Sequence, residues 1–167
     1  MITEELKRMV REDQSARERY LSDTKHQTWD PGVDRRNTDQ LKQIIEEIGW
    51  PTISRVGKEG SSNAWLLAQH ADHDPQFQKR CLKLMKLEPE GEVDKANIAF
   101  LEDRLAVSEE RPQLYGTQFF KSPEGQWQPF QILDEKDIEQ RRKAMGLETF
   151  VENQKRIQRE HDKRDAR

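Results

Sequence analysis

The sequence predicts a mainly α-helical single domain of about six or seven helices with one β-hairpin near residues 114–132. Three observations carry this expectation. Apolar residues recur at spacings of three, four and seven along most of the chain, the signature of helices with one buried face. Helix punctuation is frequent, as at Gly49-Trp50-Pro51, Asp74-Pro75 and Gly146. From Leu114 to Ile132 the pattern changes, with aromatic residues and Thr117 flanking the turn sequence Ser122-Pro123-Glu124-Gly125. Of the 34 Leu, Ile, Val and Phe residues, 24 fall between Leu41 and Leu133, so a core is expected there although 37% of the 167 residues are charged. The predicted domain covers residues 1–151, followed by a charged, solvated C-terminal helix or tail over 152–167.

Taken in order, Ile2, Leu6, Met9, Val10, Tyr20 and Leu21 share a helical face, which predicts a first helix over about residues 3–21 with Thr3 as its N-cap. Residues 22–37, with Pro31-Gly32, read as a loop. Leu41, Ile44, Ile45 and Ile48 form the stripe of a second helix, capped by Asn37 or Thr38 and closed by Gly49. A glycine-containing loop over 53–62 then leads to a helix near Ala64–Ala71, apolar all round. Asp74 caps a helix that Pro75 opens, with Phe77, Cys81, Leu84 and Met85 as its buried stripe, and Pro89-Glu90-Gly91 ends it. Asp94 starts the next, with Ile98, Leu101 and Leu105 along one seam. Pro129 marks the predicted hairpin as an edge. Two final helices, about 135–144 and 148–162, meet at Gly146.

Several classes are disfavoured. The longest apolar run, Ala64-Trp65-Leu66-Leu67-Ala68, is far too short to span a bilayer, and the charged start has no signal-peptide character. One cysteine, Cys81, permits neither an internal disulfide nor a cysteine metal cage. A cytoplasmic protein is expected, with no membrane partner. The 29 basic and 32 acidic residues leave a net charge of −3, which provides no basic stripe for nucleic acid. Gly57-Lys58-Glu59-Gly60 lacks the spacing of either common nucleotide loop. The oligomeric state is left open.

Polar residues on faces that should be buried are the informative ones. The first helix's apolar stripe passes through Asp13 and Arg17, an i, i+4 pair of opposite charge. One turn after Leu66 and Leu67 comes His70, with Gln69 beside it. Asp103 shares a face with Ala96, Ala99, Phe100 and Val107, and Arg104 adjoins it. An unpaired buried charge costs several kcal/mol or more, so these groups are expected to meet. A structural ion network is the bland account of such a set.

The residues Asp13-Gln14 with Arg17, Asp34 with Asn37, Gly49-Trp50-Pro51, Val56-Gly57, Gln69-His70-Ala71-Asp72, Asp103-Arg104, Gln113, Tyr115-Gly116-Thr117-Gln118, Arg141-Arg142 and Gly146-Leu147 together resemble a bacterial domain family of unknown function. The resemblance covers nearly the whole chain and implies positions rather than a reaction. Its polar signature includes the five inward residues already singled out.

The leading expectation is a small-molecule enzyme, of hydrolase, lyase or isomerase type, using acid–base chemistry around His70, imidazole being the side chain suited to proton transfer at neutral pH. Asp103 or Asp13 would fix its tautomer. Arg17 or Arg104 would clamp an anionic group on a small polar ligand, with Gln14, Gln69, Asn37, Tyr115, Thr117 and Gln118 as further substrate contacts. No cofactor is expected. A divalent metal on His70, Asp72 and His73 carries less weight, since Asp74 is better explained as a cap, His73 faces water, and His26 and His161 lie in weakly structured stretches. The alternative is a non-catalytic ligand- or partner-binding module of immunity type whose polar network is structural. Four tryptophans could anchor it, although core packing explains Trp50 and Trp65 as well.

Overall fold

A computed structural model describes residues 1–22 and 29–165. Of the described residues 68% are helical, in seven α-helices accompanied by a two-stranded antiparallel hairpin. The chain forms two compact units, Met1–Asp94 and Lys95–Arg167.

The first unit contains α1 (Ile2–Ser22), α2 (Pro31–Ile48), α3 (Ile53–Gln69) and α4 (Pro75–Leu87). Helix α1 packs on α2 and α3, and α3 on α4. Leu6 and Met9 of α1, Leu41 of α2, Trp50, and Ala64 and Leu67 of α3 are buried in the unit's core. Thr3 lies within α1 and donates its hydroxyl to Val56 O (3.2 Å), so it ties α1 to α3 rather than acting as a cap.

Two segments expected as loops are helical. Helix α2 starts at Pro31, not at Asn37 or Thr38, because Asp30 accepts from the Gly32 amide (2.8 Å) and proline fits the first helical turn. The expected loop over residues 22–37 is therefore shorter; its residues 23–28, with His26, lie outside the described residues. Helix α3 starts at Ile53, where Glu92 supplies acceptors to its first amides through Ile53 N→Glu92 O (2.9 Å) and Ser54 N→Glu92 Oε2 (2.9 Å). Of the two glycines that read as loop, Gly57 makes a break inside this helix at φ 77°, ψ 166°, while Gly60 is helical. Asp74 caps α4 as expected, accepting from Phe77 N (3.0 Å).

The second unit contains α5 (Lys95–Ser108), β1 (Phe119–Lys121), β2 (Trp127–Pro129), a 3₁₀ turn (Glu135–Asp137), α6 (Ile138–Ala144) and α7 (Phe150–Asp165). The hairpin pairs Phe119 with Pro129 and Lys121 with Trp127, and α7 packs on β2 and α6. His161, expected in a weakly structured stretch, lies on α7 with its ring stacked on Trp127 at 3.6 Å. No helix among the described residues is long and apolar enough to cross a membrane.

Between α5 and β1 the chain makes a tight bend at Gly116, which has φ 66°. A Cβ there meets the Phe150 ring at 2.6 Å and Ile138 Cδ1 at 3.1 Å. Gly116→Ala therefore combines left-handed backbone strain with overpacking and should destabilise by about 2–4 kcal/mol, read as a lower urea midpoint at unchanged slope.

Candidate active site

The sequence-predicted residues fall into two clusters, one in each unit. In the first, Asp13 projects from α1 with no solvent exposure. Its carboxylate accepts from Gln14 Nε2 (2.7 Å) and Arg17 Nε (3.3 Å), and faces His70 Nδ1 at 3.0–3.1 Å. His70 stands at the C-terminus of α3, directed at Asp13 by the packing of α3 on α1. Arg17 reaches on to α2, where its Nη2 donates to Asp34 Oδ1 (2.8 Å). Trp29 Nε1 donates to the other oxygen of Asp34 (3.0 Å), and the Arg17 guanidinium lies over the Trp29 ring at 4.6 Å. Tyr20 meets the Trp29 ring edge-on at 5.8 Å.

These contacts hold one carboxylate charged and leave the other harder to ionise. Burial pushes the Asp13 carboxyl up, but the hydrogen bond and charge of His70, then those of Arg17, outweigh it and hold its pKa below the usual value. At Asp34 burial prevails over the Arg17 charge and the Trp29 hydrogen bond, and the pKa is raised.

The His70 ring borders a cleft of about 520 Å³ lined also by Arg17, Tyr20, Leu21, Trp29, Pro31, Asp34, Asp72 and His73. Its walls combine aromatic and aliphatic surface with carboxylates. Gln14 is exposed; Gln69 is half-buried with Oε1 unpartnered, and Asn37 is buried with Nδ2 unpartnered. Asp72 and His73 are exposed, and Asp72 accepts from Gln78 Nε2 (3.1 Å). Among the described residues no three of His, Cys, Asp and Glu are grouped to hold a metal ion. Cys81 is buried and its thiol is pushed up to about 12 by that burial, which keeps it out of nucleophilic chemistry.

The second cluster organises a loop. Asp103, with no exposure, accepts from the amides of Leu114 (2.7 Å), Tyr115 (3.1 Å) and Thr117 (3.0 Å) and from the Thr117 hydroxyl (2.9 Å). Burial pushes its pKa up against the pull of those donors. Gln113 brackets the hairpin, donating to Gln118 O and Phe130 O and accepting from Gln118 N, while Gln118 Nε2 donates to Thr117 Oγ1. Arg142, 1% exposed, donates to Tyr115 O (2.6 Å) and Glu148 O (2.7 Å), and Asn153 donates to Gly116 O (3.3 Å). Tyr115 OH donates to Glu102 (3.4 Å), and Arg104 on α5 is half-buried. Asp103, Gln113, Tyr115, Thr117, Gln118 and Arg142 thus satisfy one another and the loop backbone.

Sequence reasoning passed over Trp29 and Tyr20 as site residues and met Asp34 only through the resemblance. A helix start at Asp30-Pro31 is the signal that places Asp34 one turn into α2, facing Arg17.

A family model described as a family of unknown function (DUF6624) matches residues 2–161. No curated protein and no solved structure matches the chain.

A carboxyl whose folded pKa is depressed stabilises the protein above its unfolded pKa, and that contribution disappears as pH falls through the folded value. The stability gap between wild type and Asp13→Asn in urea unfolding should be widest near neutral pH and close progressively below the ordinary Asp value of 3.8.

Proposed function

We propose that this chain, which belongs to the DUF6624 family, is a small-molecule enzyme that performs acid–base chemistry with the Asp13–His70 pair. The observation that carries this reading is a wholly buried carboxylate on Nδ1 of an imidazole whose ring borders an open cleft. An ionised carboxylate only accepts hydrogen bonds, so Asp13 fixes the proton on Nδ1 and leaves Nε2 to exchange a proton with substrate. As His70 gains a proton, the adjacent negative charge stabilises the imidazolium. Asp13 is therefore a positioning residue and His70 the catalytic one.

Arg17 has a different part from the anion clamp expected of it. Its guanidinium is engaged by Asp13 and Asp34 and stacked on Trp29, so it braces the pair across α1 and α2. Tyr20 and Trp29 give the cleft aromatic walls, which suit a planar substrate. Hydrolysis, elimination and isomerisation all use such a base. A cytoplasmic setting belongs to the same reading. Asp103 and its loop are left out of the chemistry, because the chain's own donors already surround that carboxylate.

The competing reading is a ligand-binding module in which the network is only structural. The two separate on a panel of aryl substrates carrying ester, amide and phosphodiester groups, assayed with the full chain. In His70→Ala or the closer-shaped His70→Gln, turnover should fall about 10²–10⁴-fold while the circular dichroism spectrum and KM change little. Turnover unchanged in both folded variants overturns the enzymatic reading, and ligand binding without turnover in wild type overturns its hydrolytic form.

A further inference from the structure

The first unit carries a second concavity, of about 460 Å³, that shares no lining residue with the His70 cleft. Arg11, Ser15 and Arg19 form one ridge of it on α1 at i, i+4, i+8 spacing, and Val33, Arg36 and Asn37 face them from α2. The lining holds three guanidinium groups against a single carboxylate, Glu12. That carboxylate is itself paired with Arg8 Nη1 at 2.8 Å. None of Arg11, Arg19 and Arg36 forms an ion pair with a described carboxylate. Asn37, 4% exposed, lines the concavity as well.

We propose that this concavity binds a phosphate-bearing small molecule. Three guanidinium-bearing side chains line this one space, and the planar guanidinium matches phosphate oxygens two at a time. Val33 is the one aliphatic side chain in the lining, so recognition runs through charge and hydrogen bonding rather than through an apolar body. The proposal is independent of the acid–base reading, since neither Asp13 nor His70 takes part.

The test uses the full chain and pyrophosphate, with inorganic phosphate as the smaller probe, in calorimetric titration at low ionic strength. Saturable 1:1 binding is expected, together with a rise in the thermal midpoint as pyrophosphate is added. Arg11→Gln and Arg36→Gln, both at exposed positions that leave the core intact, should each weaken binding about tenfold. Lys58→Gln removes the same charge from exposed α3 surface and should leave affinity unchanged. Equal weakening in Lys58→Gln, absence of saturation at millimolar pyrophosphate, or tighter binding to anionic vesicles or an oligonucleotide than to pyrophosphate each overturns the proposal.

Discussion

A carboxylate removed from water must be given partners, and each unit of this chain is arranged around one. Asp13 and Asp103 both have no solvent exposure, and left bare either would cost several kcal/mol. The two are satisfied in opposite ways. Asp13 is surrounded by side chains, two of them cationic or able to become so, and its partners come from α1 and the end of α3. Asp103 is surrounded by main-chain amides and a hydroxyl from a single loop. The first solution leaves a titratable ring at the edge of a cleft. The second fixes the course of the backbone between α5 and the hairpin, with Arg142 gripping the carbonyls of the same loop from the other side of its peptide groups.

That difference bears on what the sequence could reveal. A polar residue on an apolar helical stripe identifies a buried charge, and by that criterion both aspartates stand out equally. What identifies a site is the partner, and partners such as His70 for Asp13 or the Leu114–Thr117 amides for Asp103 are separated by many residues and chosen by tertiary packing. Helices were legible wherever punctuation and periodicity agreed, as at Asp74-Pro75. The same dipeptide at Asp30-Pro31 reads as part of a loop because Gly32 follows it, although the cap geometry is the same in kind. Gly57 and Gly60 misled similarly: a glycine break within a helix and a loop share one composition, and the difference lies in Glu92 supplying acceptors to the helix start.

The candidate site depends on three helices at once. His70 is aimed by Asp13, Asp13 is balanced by Arg17, and Arg17 is held by Asp34 and Trp29. Orientation of one ring nitrogen is in this way transmitted from α2 through α1 to the end of α3. Asp13 is wholly buried while the Arg17 side chain is 31% exposed, so the inner end of this chain of charges is screened by salt less than its outer end.

The Arg17 bridge has a consequence for how such a site changes over generations. Loss of Arg17 leaves the fully buried Asp13 with one fewer counter-charge; loss of Asp34 or Asp13 leaves a guanidinium with half its anchorage. The three side chains are therefore expected to tolerate replacement better together than one at a time.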